Sequence, residues 1–522
     1  MHPRADYSPV WSRDGSKLGF VSERHNQDRD IWFVWLQKEN WLKTDREWKE
    51  EEITESEISK EEEEKEKKVE ALEIDTEEIY KRIERVTDYS GDETMPLFSE
   101  DGETIYFTAP SKAADGRDLF SIKWNGNDLQ QITKGGRSPG KLILGNKGNT
   151  IFMLGKGKLS QIQIENEKFE PIAFLAEMEI NYQQEIEQIF NEGWRTIYNG
   201  FYDPDFHGRD WKELKNKYKE LVLKASTKED MAYIFNLMLG QLNASHMGLY
   251  SSGRYETQED ETGRIGAAII PVEEGLKIER IIPQTPAARQ KSKLYKDDII
   301  NSVNGKKITS DNNFYAMLNK KAEKRVLLKV WGEDGIRDVY IWPSSNIRSE
   351  LYKEWVGRRR ELTDKFSKGK LGYLHIQGMN WTSFEQFERD LAAAGYNKDG
   401  IVIDVRYNGG GWTTDYLMAI LNVEQHAYTI PRGAADDLQK EHEKFRNNYP
   451  FAERLPFYPW TKPSIALCNS NSYSNAEIFS HAYKTLGIGT LVGEPTFGAV
   501  ISTNKKRLID GSYIRLPYRA WY

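Results

Sequence analysis

The apolar run Pro463-Ser-Ile-Ala-Leu-Cys468 is soon followed by Asn471-Ser-Tyr-Ser-Asn-Ala-Glu-Ile-Phe-Ser480, where a helical pattern begins. A buried strand that leads through a polar turn into a helix is typical of an α/β fold. A serine on such a turn lies beside N–H groups that can hold the oxyanion formed when a hydroxyl attacks a carbonyl. Ser474 is therefore a candidate nucleophile. It is equally a candidate N-cap, because Glu477 follows three residues later, as in a capping box.

A glycine run in a second segment favours the nucleophile interpretation. The apolar stretch of Ile401-Val-Ile-Asp-Val-Arg-Tyr-Asn-Gly-Gly-Gly411 ends in three glycines, and a helical pattern follows from Asp415. Glycine permits unusual backbone angles and lets a ligand approach the main chain closely. The run therefore suits an oxyanion or substrate-strand site. The alternative is a plain loop between a strand and a helix, which needs fewer glycines.

A third segment, Leu242-Asn-Ala-Ser-His-Met-Gly248, supplies a candidate base at the end of a helical stretch. His246 can take a proton from a serine hydroxyl. The chain has 8 histidines, and a single histidine is usually not catalytic. His375 lies within a predicted strand and is interpreted as a core or sheet-face residue.

The composition fits a soluble, multidomain enzyme, and a cytoplasmic location is expected unless an export signal precedes residue 1. A chain of 522 residues with 38% hydrophobic and 12% aromatic residues is too long for one core. A net charge of -8 and a pI of about 5.8 argue against nucleic-acid binding. No apolar run approaches the roughly 20 residues of a membrane span, and no signal peptide opens the sequence. The single cysteine, Cys468, excludes an intrachain disulfide framework and is interpreted as a core residue.

An internal repeat predicts β-propeller blades over residues 1–175. Pro9-Val-Trp-Ser-Arg-Asp-Gly-Ser-Lys-Leu-Gly-Phe20 recurs as Pro96-Leu-Phe-Ser-Glu-Asp-Gly-Glu-Thr-Ile-Tyr-Phe107, and each Asp-Gly pair reads as a hairpin turn. A degenerate third copy spans about 140–168. Because four to eight blades close a ring, we expect further blades before residue 1. A charged insert at about 43–84 is predicted to be a solvated helix or disordered loop.

The rest of the chain divides into three predicted units. Apolar residues at helical spacing predict a helical domain over 176–255 that carries the candidate base. Residues 256–344 resemble a PDZ domain, whose open strand edge can accept a peptide; the alternative is a spacer. Residues 345–522 alternate strands and helices and are predicted to be α/β, with a charged, proline-containing insertion at 423–458 over the site. The predicted fold class is thus multidomain: propeller blades, a helical segment, a PDZ-like domain and an α/β domain.

Together these segments resemble the tricorn protease family of serine peptidases, in the clan of the C-terminal processing peptidases. The resemblance rests on the Ser-His pair at 245–246, the run at 404–411, the Ser-Asn-Ala-Glu-Ile-Phe run at 474–479 and the segment Phe201-Tyr-Asp-Pro-Asp-Phe-His-Gly-Arg-Asp-Trp211. It covers nearly the whole chain. In the last segment, Tyr202, Asp203, Asp205 and His207 are interpreted as structural.

The resemblance implies a Ser nucleophile at Ser474, a base at His246 and a second serine, Ser245, that helps to orient the machinery. The implied oxyanion and substrate-binding positions are Gly409, Gly410, Gly411, Asn475, Gly498 and Ser502. In C-terminal processing peptidases a lysine base follows the nucleophile by roughly 25 residues. The comparable stretch here is Thr496-Phe-Gly-Ala-Val500, with Ala499 near the place of that lysine, so the histidine design is favoured. No metal or cofactor is expected.

Two departures from the family pattern affect the expected activity. Asn475 stands where the family usually has Asp, which matters little if the residue contributes only its N–H. The catalytic Glu of the family is expected downstream of the strand Arg515-Leu-Pro-Tyr-Arg-Ala-Trp-Tyr522. We therefore expect residues 1–522 alone to cleave peptides weakly.

The resemblance predicts a serine endopeptidase or oligopeptide-processing peptidase. Its expected partners are peptides or unfolded polypeptides and further copies of the chain, with no nucleic acid and no membrane. The alternative is a catalytically silent scaffold that binds peptides through the propeller and the PDZ-like domain, because a fold by itself does not fix a function.

Overall fold

The computed structural model describes residues 5–25, 28–44, 46–48, 50, 74–89, 91–111, 114–155, 157–250, 259–309, 312–446 and 459–521. The chain divides into two compact units, Met1–Glu179 and Ile180–Tyr522. None of the helices in the described ranges is long and apolar enough to cross a membrane. Within the same ranges, no group of three or more His, Cys, Asp or Glu side chains is placed to hold a metal ion.

The first unit contains three four-stranded antiparallel sheets, and in each sheet the strands neighbour one another in chain order. The repeated Asp-Gly pairs lie at the first hairpin turn of two of these sheets, where Gly15 and Gly102 have φ values of 76° and 75°, a region that glycine enters without strain. The strands are Asp6–Trp11, Lys17–Ser22, Asp30–Trp35 and Ile83–Arg85; Thr94–Phe98, Thr104–Pro110, Arg117–Lys123 and Gln130–Gln131; and Lys141–Leu144, Thr150–Gly155, Lys158–Gln163 and Lys168–Ile172.

The end of the charged insert differs from the prediction. Most of its acidic stretch, residues 51–73, lies outside the described residues, and a short helix, Lys38–Leu42, precedes it. However, Ile83–Arg85 is the fourth strand of the first sheet, and the side chain of Arg82 is buried and donates a hydrogen bond to the carbonyl of Leu36 at 3.2 Å. The solvated insert therefore ends before Arg82, because the chain must return to complete that sheet.

The second unit begins with three helices, Tyr182–Gly200, Trp211–Val222 and Lys228–Gly240. Their buried faces share one apolar core with Leu508 and Ile514, which lie far along the chain. The reason is a three-stranded antiparallel sheet, in which Tyr513–Arg519 pairs with both Gly248–Tyr250 and Ser502–Arg507. The last two strands, which the sequence analysis assigned to the α/β domain, thus pack with the helical segment.

Residues 264–344 form a separate sheet with its own core. All of its strand pairings are antiparallel. The short strand Lys306–Lys307 pairs with the end of the strand Ile299–Val303. A one-turn helix, Phe314–Met317, lies between the third and fourth long strands. The long strands are Ala267–Val272, Gly275–Ile281, Ile299–Val303, Val326–Gly332 and Gly335–Ile341.

The predicted α/β unit is confirmed as a four-stranded parallel sheet that runs in chain order, with helices between its strands. The strand Gly400–Asp404 is buried at every position, which explains its continuous apolar run. The strands are Leu371–His375, Gly400–Asp404, Ser464–Cys468 and Thr490–Gly493, and the helices are Arg348–Ser367, Trp381–Gly395, Thr414–Leu421, Leu438–Glu441 and Asn475–Thr485.

A buried carboxyl group gives the first unit a pH-dependent element. Glu93 precedes the strand Thr94–Phe98, is 0% exposed, and accepts a hydrogen bond from the Thr87 hydroxyl at 2.8 Å. Burial raises the pKa of Glu93 to about 8, and the negative charge of the neighbouring Asp30 adds to the rise. Glu93 is therefore protonated at neutral pH.

We predict that Glu93 makes the first unit less stable as the pH rises. The pKa of Glu93 in the folded protein is raised above the unfolded value of 4.5. Its contribution to the free energy of unfolding is therefore complete below about pH 4.5. Above that pH the contribution falls by about 1.4 kcal/mol per pH unit, and it is lost by about pH 8. Hydrogen exchange of peptides from residues 94–110, corrected for the intrinsic pH effect, should show this fall. Glu93→Gln should flatten it, whereas the exposed Glu165→Gln should not. An unchanged slope in Glu93→Gln would contradict the assignment.

Candidate active site

Ser474 lies at the N-cap of the helix Asn475–Thr485, directly after the turn that ends the strand Ser464–Cys468. Its backbone angles, φ 56° and ψ -116°, are unusual for a residue other than glycine. An N-cap residue ordinarily has extended angles, so capping alone does not explain this conformation. Residues held in such regions cost on the order of 1–3 kcal/mol and are common at functional sites, including strained strand-to-helix turns that expose a serine.

The carboxylate of Glu477 fixes this turn. It is buried and accepts a hydrogen bond from the N–H of Ser474 at 2.9 Å, which realises the predicted capping box. It also accepts hydrogen bonds from the N–H groups of Gly498 and, at 3.0 Å, Ala499. One side chain thus joins the serine turn to a second loop. The sequence signal for Glu477 was the capping spacing, which gave no indication of the second loop.

The glycine run packs directly against the serine turn. A Cβ atom on Gly410 would lie 2.7 Å from Cβ of Ser474 and 2.8 Å from N of Asn475, and φ at this glycine is 88°. At Gly411, where φ is 149°, a Cβ atom would lie 1.8 Å from the carbonyl oxygen of Met379. In contrast, a Cβ atom on Gly409 would meet nothing within 4 Å. The close packing of this run against its neighbours therefore requires glycine at Gly410 and Gly411, but not at Gly409.

Two of the predicted oxyanion and substrate-binding residues already use their N–H groups within the protein. The N–H of Gly410 donates to the side-chain oxygen of Asn408 at 2.8 Å, and the N–H of Gly498 donates to Glu477. The candidate donors that remain are the N–H groups of Gly409, Gly411 and Asn475, the last in the first turn of its helix, where the helix itself leaves N–H groups unused. The N–H groups of Gly410 and Gly498 thus stabilise the loops, and the oxyanion or substrate-binding roles of these two residues stay predictions.

The side chain of Asn475 has a role that the sequence analysis did not assign. It is buried, and its oxygen accepts hydrogen bonds from the backbone N–H of Thr414 at 3.1 Å and from the hydroxyl of the same residue at 3.0 Å. Asn475 therefore connects the start of the helix Thr414–Leu421 to the serine turn. An amide oxygen serves this acceptor role without burying a further negative charge.

The Ser-His pair reaches the serine turn from the helical segment. The Nδ1 atom of His246 lies 3.3 Å from the hydroxyl of Tyr473, and the two ring centroids are 4.7 Å apart, although the residues are 227 positions apart. The hydroxyl of Ser245 donates to the carbonyl of Ala499 at 2.8 Å. Both residues therefore contact the immediate surroundings of Ser474. The pairing of Gly248 with Arg515 holds the next strand in place.

The Nε2 atom of His246 is buried and has no hydrogen-bond partner among the described residues. The direct hydrogen bond between Ser474 and His246 that proton transfer requires is consequently not formed in this structure. Such bonds often form only once a substrate is bound. The Nε2 atom is left for an incoming group.

The charges around His246 favour its neutral form. Burial lowers its pKa, and the positive charge of Arg515 lowers it further, while Glu477 acts in the opposite direction. A base has to be unprotonated to accept a proton, so this environment suits that role at neutral pH.

The other predicted residues occupy separate places. Both ring nitrogens of His207 are engaged, Nδ1 with the carbonyl of Leu242 at 2.6 Å and Nε2 with the hydroxyl of Tyr202, which agrees with a structural role. His375 bonds the hydroxyl of Tyr352 at 2.8 Å and is buried. The hydroxyl of Ser502 accepts a hydrogen bond from the indole of Trp521 at 2.9 Å; within the described ranges no contact joins it to Ser474.

Two family models match parts of the chain. Residues 370–522 match the model for peptidase family S41, and residues 182–240 match the model for the tricorn protease C1 domain. The first range covers the parallel sheet, the serine turn and the last two strands, and the second covers the three helices that precede the Ser-His pair.

Relatives and a solved structure agree with these matches. Tricorn protease of Thermoplasma volcanium is 25% identical over 387 residues, which are 71% of this chain and 36% of that protein. Tricorn protease homolog 1 of Streptomyces coelicolor is 28% identical over 350 residues, 64% of this chain and 31% of that protein. The crystal structure of the tricorn protease has a TM-score of 0.73 at 20% identity and covers 100% of this chain and 51% of its own. The chain thus spans about a third of the length of these curated relatives.

We predict that the glycines of the run differ sharply in their tolerance of a side chain. Gly410→Ala places a Cβ atom 2.6 Å from the carbonyl oxygen of Tyr473 at a positive φ, so it should lower the free energy of unfolding by about 1–3 kcal/mol. Gly409→Ala, the matched control, should change it by less than about 0.5 kcal/mol. Urea unfolding monitored by tryptophan fluorescence measures both. Equal losses in the two variants would contradict the close packing.

We predict that His246 titrates below the ordinary histidine value of 6.5, and that Arg515→Gln raises its pKa because one neighbouring positive charge is removed. In that variant, the rate of any step that needs neutral His246 should begin to fall at a higher pH on the acidic side. NMR titration of the imidazole Cε1–H, assigned with His246→Ala, measures the shift. Arg519→Gln, on the exposed end of the same strand, is the control. A pKa for His246 that does not respond to Arg515→Gln would contradict the electrostatic account.

Proposed function

The chain belongs to the tricorn protease family, and we propose that it is a serine peptidase in which Ser474 attacks the carbonyl of a peptide bond. The observation that carries the proposal is the strained backbone of Ser474 on a strand-to-helix turn, against which the Ser-His pair and the glycine run both pack. Strain at this position and two converging segments suit a reaction site better than a helix cap.

In the proposed reaction, His246 accepts the Ser474 proton on Nε2 as the hydroxyl oxygen bonds to the peptide carbonyl carbon. It then gives that proton to the leaving amine, which releases the first product and leaves an ester on the serine. Water hydrolyses the ester with the same base. The unpartnered Nε2 atom and the lowered pKa of His246 support this assignment. Ser245 acts indirectly, through its hydrogen bond to Ala499.

The developing oxyanion is proposed to lie against the N–H groups of Asn475, Gly409 and Gly411. Preorganised N–H donors at this point are typically worth about 10²–10³-fold in rate each. The N-terminus of the helix Asn475–Thr485 adds a favourable dipole. Gly410 contributes by allowing the loop to pack within van der Waals distance of Ser474.

The remaining domains are proposed to select and deliver the substrate. The three four-stranded sheets of the first unit have the strand order of β-propeller blades, and the antiparallel sheet of residues 264–344 has the size and strand edge of a PDZ-like domain. We propose peptides or unfolded polypeptides as substrates, because these relatives are named proteases. An oligomeric, cytoplasmic enzyme is proposed as what the family resemblance of the sequence implies.

A peptide-binding scaffold without turnover is the competing function. It would use the same sheets, but it has no need of a strained serine or of a histidine whose buried Nε2 atom lacks a hydrogen-bond partner among the described residues. The two functions differ in the reactivity of Ser474, since a fluorophosphonate probe forms a covalent bond only with an activated serine.

We predict that the full chain is labelled by a fluorophosphonate probe and that Ser474→Ala abolishes the labelling. His246→Ala should slow labelling by about 10²–10⁴-fold, the usual contribution of a general base. Ser470→Ala, an exposed serine on the same turn, is the matched control and should label normally. In-gel fluorescence against time and mass mapping of the modified peptide measure both rate and position. A folded but unlabelled protein would favour the scaffold, and labelling that persists in Ser474→Ala would place the nucleophile elsewhere.

A further inference from the structure

Asn408 joins three segments around the candidate site. It is 0% exposed and directly precedes the glycine run. Its amide nitrogen Nδ2 donates to the carbonyl of Ile376, directly after the first strand of the parallel sheet, at 2.8 Å. Its amide oxygen accepts a hydrogen bond from the N–H of Gly410 at 2.8 Å. Its main-chain carbonyl accepts one from the N–H of Tyr473, in the serine turn, at 2.9 Å.

The orientation of this amide is fixed by its two partners. A carbonyl can only accept a hydrogen bond, and a backbone N–H can only donate one. Nδ2 must therefore face Ile376, and the oxygen must face Gly410. The reversed amide would bring two acceptors together on one side and two donors together on the other. Both ends of the amide are consequently required, whereas an ionised carboxylate can only accept.

Further contacts hold the glycine run between two neighbouring segments. The carbonyl of Gly410 accepts from the N–H of Met379 at 3.0 Å, and the N–H of Trp412 donates to the carbonyl of Met379 at 2.7 Å. The run also packs so closely against the serine turn that a Cβ atom on Gly410 would lie 2.7 Å from that of Ser474. Asn408 adds the bond that uses the N–H of Gly410, so this glycine has no donor left for a ligand.

We propose that Asn408 is a positioning residue that holds the glycine run against the serine turn and leaves the N–H groups of Gly409 and Gly411 to bind the oxyanion. Within the described ranges neither of these two N–H groups donates a hydrogen bond. Asn408 is buried and therefore acts through the run rather than on the substrate. The catalytic meaning of the assignment rests on the proposed function, whereas the placement of the run is a property of the resting protein.

The substitution Asn408→Asp tests the donor end of the amide alone. The new carboxyl still accepts from Gly410. When it is protonated it also donates to Ile376, so both bonds are kept. When it is ionised, a negative oxygen faces the carbonyl oxygen of Ile376, and a bond becomes a repulsion in a buried place. Burial favours the protonated form, so the damage should appear as the pH rises.

The surroundings of Asn408 keep this pH effect simple to interpret. All hydrogen-bond partners of Asn408 in the described ranges are main-chain groups, which do not titrate. The charged pair that precedes it, Asp404 and Arg406, is joined by its own hydrogen bond at 2.6 Å. The carboxylate of Glu477 in the serine turn accepts three main-chain N–H groups.

A second buried asparagine in the same loops supplies the matched control. The oxygen of Asn469 accepts from the N–H groups of Tyr407 at 3.1 Å and Asn471 at 3.2 Å. A carboxylate can accept both of these bonds. Asn469→Asp should therefore introduce the same charge into the same loops without moving the glycine run.

The first experiment measures the placement of the run without catalysis. Hydrogen exchange of peptides covering residues 405–414 and 470–478 is followed in the full chain and in both variants, corrected for the intrinsic pH effect. Protection in Asn408→Asp should match the wild type at about pH 5 and fall by about tenfold or more at about pH 9, the cost of an unmade buried hydrogen bond. Asn469→Asp should match the wild type throughout. Wild-type protection in Asn408→Asp at the alkaline end, or an equal loss in Asn469→Asp, would overturn the proposal.

The helix Tyr182–Gly200 reports on the stability of the whole unit in the same experiment. Its protection should not change in Asn408→Asp, because the run lies in another part of the chain. An equal loss of protection in this helix would mean general unfolding rather than positioning, and it would also overturn the proposal.

The second experiment measures the consequence for reactivity. The rate of fluorophosphonate labelling of Ser474 in Asn408→Asp is divided by the wild-type rate at the same pH, which removes the titration of His246. This ratio should fall by about 10²-fold from the acidic to the alkaline end, the usual effect of losing one oxyanion donor. For peptide hydrolysis, kcat should fall with little change in KM. Asn469→Asp should keep a constant ratio.

The two experiments separate the failure of each idea. If the wild-type protein is never labelled while hydrogen exchange behaves as expected, the peptidase proposal fails and the holding of the run by Asn408 stands. If the labelling ratio stays constant in Asn408→Asp while protection of the run is lost, the positioning role is wrong.

Discussion

The buried carboxylate of Glu477 is the interaction on which the geometry of the candidate site depends. It accepts backbone hydrogen bonds from Ser474 on one segment and from Gly498 and Ala499 on another. Burying an unpaired carboxylate is costly, and three N–H donors together with a helix N-terminus offset that cost. If the carboxylate were absent, three N–H groups would lose their acceptor, and the strained angles of Ser474 would lose their support.

The same carboxylate also joins the serine turn to the Ser-His pair. Ala499 donates its N–H to Glu477 and accepts a hydrogen bond from Ser245 on its carbonyl. The main chain at this position thus couples the serine turn to the Ser-His pair. The candidate base on the helical segment lies near the candidate nucleophile on the α/β unit, and the pairing of the strand Gly248–Tyr250 with Tyr513–Arg519 supports this arrangement.

Neutral side chains make several of the hydrogen-bonding contacts around the site. These contacts come from the oxygen of Asn475 and the hydroxyls of Tyr473 and Ser245, which are all neutral. Neutral groups cost less to bury. Arg515 and burial then keep His246 neutral, so that its acid–base behaviour is set by one cation, one anion and the packing of two rings.

Sequence by itself determined the local features of this protein. The apolar run before Asp404, the capping spacing of Ser474 and Glu477 and the Asp-Gly hairpins each depend on residues that are close along the chain, and their structures followed from period, turn chemistry and glycine conformation. Only the tertiary structure decided that the N–H groups of Gly410 and Gly498 donate hydrogen bonds within the loops. The same is true of the packing of the last strands with the helical segment and of the contact between Tyr473 and His246. These contacts connect segments up to 254 residues apart. At such separations the packing of whole domains determines which groups form a hydrogen bond, and the spacing of residues along the sequence does not predict the partner.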